Sequence, residues 1–339
     1  MAIVQDKVKA LIIGHAIGDA LGVPVEFQAR HRLEEDPVID MRGYGTHPVP
    51  PGTWSDDTSM TLCLLESLSR MGTVDYDDIM SNFVRWMKDG EFTATYTVFD
   101  IGIATRHALL SYAPDSKLIP RTEPLQCGGT GESDNGNGSL MRIAPMALYL
   151  YRQSGNDLSW PDMGIVHNVS RLTHAHPRSQ MACGIYVLIA AELLAGSSLR
   201  DAIRAGVGKA YRLYGQQPEF ADEMNTYSRL WDIDRFAKTR EYEIKSTGYV
   251  VDALEAVIWC LLNSDNYCEC VLMAVNLGDD TDTVGAITGG LAGLAYGWNN
   301  IPPNWKGELQ RVNYIEEICD DFSRRFARYI GRKDEAVQS

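Results

Sequence analysis

Two acidic runs carry residue types suited to chemistry: Ser55-Asp56-Asp57-Thr58 and Gly278-Asp279-Asp280-Thr281-Asp282-Thr283. Each falls where a loop hands over to an apolar helical stretch. Carboxylates packed side by side repel, and the first turn of a helix offers only a partial positive charge against them. A divalent cation resolves that conflict. Taken singly, the runs read equally well as helix caps, with Ser55 or Asp56 capping a helix through Met60, Leu62, Cys63, Leu65 and Leu68, and Asp280 capping one with Val284 and Ile287. A third acidic element turns the reading toward a metal centre. In Gly18-Asp19-Ala20-Leu21-Gly22-Val23-Pro24-Val25-Glu26, Pro24 should end the first helix and leave Glu26 just beyond it, able to reach inward. The prospective ligands are then all oxygens: Glu26, Asp56, Asp57, Asp280 and Asp282, with hydroxyls from Ser55 and Thr283. Hard donors of this kind select Mg2+ or Mn2+ over zinc or copper. Two such ions bridged by a carboxylate can polarise a substrate oxygen and generate hydroxide near neutral pH. The second run lacks the turn glycine and terminal glutamate of a calcium-binding EF-hand.

Two further segments offer polar groups at helix starts. Gly136-Asn137-Gly138-Ser139-Leu140-Met141-Arg142 is a glycine-rich turn expected to lead into a helix from Arg142 to Tyr151. Backbone amides there can cradle a phosphate, although the spacing matches neither a Walker nor a dinucleotide fingerprint and a plain tight turn reads as well. Ser139 lacks the following glycine of a nucleophile elbow and is not read as a catalytic serine. In Thr173-His174-Ala175-His176-Pro177, no third soft ligand accompanies the histidines, so hydrogen bonding is favoured over zinc.

Helical periodicity dominates and convincing alternating strands are absent, so the chain is expected to be all-α; its length suits one domain or two, and no linker argues for two. Helices are expected near 4–21, 57–70, 76–88, 99–112, 139–151, 162–173, 177–195, 198–214, 248–262, 266–276, 282–297 and 313–330, and a disordered tail over 333–339. Gly14, Gly18 and Gly22 recur every fourth residue, as do Gly285, Gly289 and Gly293. Glycine costs about 1 kcal/mol per helical site, so these faces are read as places where helix backbones approach closely. The loops at 28–55 and 113–138 exceed typical connections, and loops of that size usually carry function.

Bulk properties exclude some classes. With 45 acidic against 31 basic residues the net charge is −14, which argues against a dedicated nucleic-acid or anionic-membrane surface. The N-terminal stretch carries Asp6, Lys7 and Lys9 before a short apolar run and reads as a helix of the mature fold. Apolar stretches such as 181–195 are expected to fall short of a membrane span. Seven cysteines scattered through apolar segments suit a reduced, cytoplasmic protein.

Together, 14–26, 54–58, 136–142, 173–177 and 277–297 resemble the ADP-ribosylglycohydrolase family, in the family's order and across nearly the whole chain. The resemblance implies an all-α, many-helix single globular domain over 1–332 with a central binuclear-metal cleft holding two Mg2+ or Mn2+ ions, and removal of ADP-ribose from modified protein side chains. By position, it implies that Ser55, Asp56, Asp57 and Asp282 hold one ion, and Glu26, Asp280, Asp282 and Thr283 the other. It implies further that Asn137, Gly138, Ser139 and His174 contact the diphosphate and ribose. Phe99-Asp100-Ile101-Gly102 looks like the family's acidic segment beside the scissile ribose, with Asp100 positioning a guanidinium or moving a proton; a helix N-cap reads equally well. One departure stands out. The first run usually opens with threonine and here opens with Ser55, losing a methyl group that stiffens the side chain.

The expected reaction is hydrolysis of an N- or O-glycosidic bond, most simply to arginine, with Asp56, Asp57 or Glu26 deprotonating water. Trp54, Tyr44 or Phe99 is available to stack on a ring. Two other classes share these features: a non-catalytic structural protein on the same scaffold, and an immunity or regulatory protein that binds and occludes an ADP-ribosyltransferase.

Overall fold

The apolar periodicity resolves into helices throughout. In this computed structural model, which describes residues 2–336, fifteen α-helices and nine short 3-10 turns form, and no β-strand does. Isolated bridges join Gly129 to His174 and Gly136 to Tyr249. A single apolar cluster, reaching from Val8 to Phe322, serves the chain as one core.

At its centre two helices run against each other, Ala2–Gly22 and Thr281–Tyr296. Their glycine faces meet. A methyl group on Gly18 would fall 2.0 Å from the Gly285 carbonyl oxygen, and one on Gly14 would fall 2.6 Å from that of Gly289. Backbone therefore packs on backbone, and close contact offsets the propensity cost of the glycines. The pairing carries Asp19 and Glu26 at one end of the first helix up to the acidic start of the second, where a methyl group on Gly22 would lie 2.3 Å from the Asp282 amide nitrogen.

Several boundaries differ from expectation. The helix expected over 99–112 is Ile103–Tyr112, with Gly102 extended at its N-cap, so Asp100 lies in irregular chain and caps nothing. The helix expected from 139 or 142 is Ala144–Ser154, because Asn137–Ser139 form a 3-10 turn and Pro145 favours the first helical turn. Helices Arg30–Glu35, Ile233–Phe236 and Pro303–Glu308 are too short for periodicity to reveal. Apolar length was also underestimated. Gln5–Val25 and Pro177–Ala195 are long and apolar enough to cross a membrane, but these segments are 94% and 83% buried inside the protein. The last helix, Val312–Ala336, covers the beginning of the expected tail, and residues 337–339 lie outside the described residues.

Candidate metal centre

Asp19, fully buried near the end of the first helix, organises the first acidic run. Its carboxylate accepts from the Ser55 amide at 2.9 Å, the Thr58 amide at 3.1 Å and the Thr58 hydroxyl at 2.6 Å. Asp19 thus takes over much of the capping of the Asp56–Met71 helix. Ser55 occupies the N-cap and its hydroxyl lies 3.1 Å from Asp57 Oδ2. Asp280 occupies the N-cap of the other acidic helix, yet its side chain caps no amide there. It accepts instead from Asn137 Nδ2 at 2.6 Å. The capping reading therefore describes Ser55 and misses Asp280.

Glu26 follows the 3-10 turn Val23–Val25 and is only 3% exposed. Its backbone neighbourhood is tied to the second acidic loop. The Phe27 amide donates to the Asp279 carbonyl at 2.6 Å, and the Asp279 amide donates back to Gln28 at 2.8 Å. Phe27 and Asp279 both adopt left-handed backbone, with φ of 63° and 59°. Such conformations are strained for non-glycine residues, and here one follows Glu26 while the other precedes Asp280.

Two sets of carboxylates converge, each with ligand atoms within 4.8 Å of one another: Asp19, Asp57 and Asp282, and Glu26, Asp280 and Asp282. Asp282 belongs to both. Thr283 closes the gap between the acidic runs, its hydroxyl 3.3 Å from Asp57 Oδ2. Burial, then mutual repulsion, pushes Asp56, Asp57 and Asp282 well above the usual carboxylate range. Burial raises Glu26 to about 9, reinforced by Asp100, Asp280 and Asp56. Asp57 Oδ1 is buried with no hydrogen-bond partner. An orphaned carboxylate oxygen among repelling carboxylates, in two sets made of carboxylates alone, fits a hard divalent cation. Asp56 lies in neither set, although its charge is felt by Glu26.

The other expected residues divide. His47 Nε2 contacts Glu26 Oε2, and Glu26, His47 and Asp100 form a third set within 4.8 Å. The His47 ring packs 5.0 Å from that of Phe99. Asn137 reaches the centre through Asp280, while its own amide is used by the Gly248 carbonyl at 3.0 Å. Ser139 is fully buried and accepts from the Ser170 hydroxyl at 2.9 Å, so its side chain belongs to the core. Gly138 sits against His174, where a methyl group would come within 2.9 Å of the imidazole. His174 bonds Thr173 Oγ1 at 2.7 Å and is depressed to about 3 by burial and by Arg142, so it is a neutral hydrogen-bonding group. Trp54 is buried and donates to the Gln310 carbonyl at 2.8 Å, a core role that leaves it unable to stack on a ligand. Tyr44 stands on the outside.

The chain as a whole resembles known proteins. A family described as ADP-ribosylglycohydrolase matches residues 1–332. The chain belongs to that family. It is 34% identical over 316 residues to the ADP-ribosylarginine hydrolase Tri1 of Serratia proteamaculans, covering 93% of this chain and 78% of the relative. It is 31% identical over 308 residues to the ADP-ribosyl-[dinitrogen reductase] glycohydrolase of Rhodospirillum rubrum, covering 90% and 91%. A solved structure titled ADP-ribosylglycohydrolase-related protein complex superposes with a TM-score of 0.74 at 29% identity, covering 96% of this chain and all of that one. The protein is accordingly a glycosyl hydrolase, and the non-catalytic reading is set aside.

In this ADP-ribosylglycohydrolase, sequence reasoning passed over three groups. Asp19 lies in the Gly18–Glu26 segment, within a helical apolar pattern that hides its inward carboxylate. His47 lies in the long 28–55 loop, where no local spacing ties it to Glu26. Tyr249 pairs with Gly136 by a backbone bridge, and Gly248 receives the Asn137 amide, so 248–249 flank the glycine turn through long-range contacts that no local spacing records.

Proposed function

We propose that this chain hydrolyses the bond between ADP-ribose and an arginine side chain of a modified protein, using two Mg2+ or Mn2+ ions. Ser55, Asp56, Asp57 and Asp282 would hold one, and Glu26, Asp280, Asp282 and Thr283 the other. The carrying observation is that Asp282 belongs to two buried carboxylate sets beside an unpartnered Asp57 oxygen. The arginine linkage is supported by the Serratia relative, described as an ADP-ribosylarginine hydrolase.

The ions would supply Lewis-acid activation of water and of the ribose oxygens. The chain supplies the rest. Glu26, Asp56 or Asp57 takes a proton from the attacking water, and from Glu26 Oε2 that proton has an onward partner in His47 Nε2. Asp100, beside Glu26, receives the guanidinium through two parallel N–H bonds. The breaking bond leaves its electron pair on a guanidinium nitrogen, so an already cationic group departs as neutral guanidine. A serine alkoxide would need protonation, and no acid stands out for that task. The Asn137–Ser139 turn and neutral His174 hold the diphosphate and ribose, so remote binding energy positions the anomeric carbon. All seven cysteines are free, which suits a reducing compartment, and the cytoplasm is the proposed location.

The test is release of ADP-ribose, followed by mass, from arginine-linked and serine-linked peptides with Mg2+, Mn2+ or chelator, repeated with Asp100→Asn. Metal-dependent release, faster from arginine and slowed by Asp100→Asn, is expected. Faster release from serine would overturn the linkage. Stable co-purification with a transferase and no turnover would favour the occluding reading instead.

A further inference from the structure

Six non-glycine residues adopt left-handed backbone among the described residues, and three of them, Phe27, Tyr44 and Tyr96, are aromatics that stand 70%, 70% and 75% exposed. Each property is unfavourable alone. A bulky residue in this conformation is a steric outlier. An aromatic left in water forgoes the gain of burial. Their coincidence at three positions points to contact with something outside the chain.

The positions share one location. Phe27 follows Glu26 directly, and Tyr44 precedes His47, which touches Glu26, by three residues. Tyr96 precedes Asp100 by four residues, and Ile103, 76% exposed, follows it by three. Glu26, His47 and Asp100 lie together. Four residues of chain reach at most about 14 Å, so each of the four exposed apolar residues lies within that reach of a member of the cluster.

We propose that Phe27, Tyr44, Tyr96 and Ile103 form the surface that docks the polypeptide carrying the ADP-ribosyl group. The inference rests on the hydrolase reading above. Covalent continuity identifies the occupant: with the scissile bond at the carboxylates, the peptide bearing the arginine must lie one side-chain length outside, over Glu26 and Asp100. Aromatic and aliphatic groups there cover apolar and backbone atoms of the flanking residues without selecting a charge. The surface is also preorganised. The Phe27 amide is held by the Asp279 carbonyl at 2.6 Å and the Tyr44 amide by the Val49 carbonyl at 2.8 Å, and the Arg311 guanidinium lies 4.4 Å from the Tyr96 ring centroid. Little ordering entropy is then lost on docking.

The test compares free ADP-ribosyl-arginine with an ADP-ribosylated protein as substrates of the full chain. Three variants serve: Tyr96→Ser with Ile103→Ser, Phe27→Asn, and Met71→Ser. Asparagine accepts left-handed backbone readily, so Phe27→Asn removes the ring while keeping or raising the melting temperature. Met71, about 21 Å from Asp57 along one helix, is the remote control. The first two should raise KM for the modified protein about tenfold, with kcat for it and rates on free ADP-ribosyl-arginine unchanged. Met71→Ser should match the wild type on both. An unchanged KM for the protein, or equal losses on both substrates, overturns the docking surface. Wild-type turnover of free ADP-ribosyl-arginine separately tests the hydrolase reading; if neither substrate is cleaved, that reading falls and the docking surface with it.

Discussion

The Thr58 hydroxyl donates to Asp19 at 2.6 Å, so a carboxylate on the first helix fixes the turn that presents Asp56 and Asp57. Asp19→Ala leaves the Thr58 hydroxyl and the amides of Ser55 and Thr58 buried without this acceptor, at a cost of about 1–3 kcal/mol for each group left unsatisfied. We expect a lower melting temperature and weaker Mg2+ binding by calorimetry. Asp19→Asn, which keeps one acceptor oxygen, should lose less of both. Equal metal affinity in wild type and Asp19→Ala would remove this role.

Asp56→Ala and Asp282→Ala should abolish turnover while keeping the helical fold, since each removes a proposed ligand and relieves repulsion without opening an apolar cavity. The metal-free melting temperature should hold or rise, and binding of Mn2+ should weaken or vanish in titration. Retained activity and affinity in either variant would sink the two-ion assignment.

Stability should depend on pH in an unusual direction. Burial holds Glu26 at about 9 against an ordinary 4.5, and Asp19 at about 6 against 3.8. A carboxyl with its folded pKa raised keeps its proton longer in the folded state. Its contribution is complete below the unfolded pKa and is lost as pH climbs through the folded value. The metal-free melting temperature should therefore fall between about pH 4.5 and 9. Added Mg2+ should raise it by an amount that grows with pH, because the cation competes with protons for these oxygens. Thermal scans in chelator that rise across this window would contradict the account.

Two glycine substitutions should act oppositely. Gly18→Ala places a methyl group 2.0 Å from the Gly285 carbonyl and should destabilise by about 3 kcal/mol or more while also weakening metal binding, since the helices must part. Gly164→Ala meets nothing within 4 Å on its helix and should stabilise by about 0.5–1 kcal/mol. Denaturant midpoints for both variants check the pair.

What could be read before the fold was known followed from local physics. Crowded acids at predicted helix starts have few uses, so Asp57, Asp280 and Asp282 stand out as candidate ligands, and glycines at every fourth position mark the central helix contact. Pro24 placed Glu26 beyond the first helix. Hidden from the sequence were relationships set by distance along the chain. Whether Asp280 caps its helix or faces Asn137 depends on a contact 143 residues away. His47 acquires meaning only when its loop folds onto Glu26. Asp100 and Ser139 were displaced from their expected helices because Gly102 and the Asn137–Ser139 turn delay helix entry, which propensity alone does not resolve.

The contact of the first helix with Thr281–Tyr296 also sets a clock on biosynthesis. Thr281 bonds the Gly22 carbonyl across 259 residues, an interval that takes roughly 13–52 s to translate at 5–20 residues per second. Through that interval the emerging chain carries Asp19, Glu26, Asp56 and Asp57 beside a glycine-lined apolar helix whose docking partner has not been made. Such a chain has only part of the proposed ligand set and an uncovered helix face. The proposed ions therefore gain their full ligand set only once Thr281–Tyr296 has been made and docked, and do not template the early folding of the first helix.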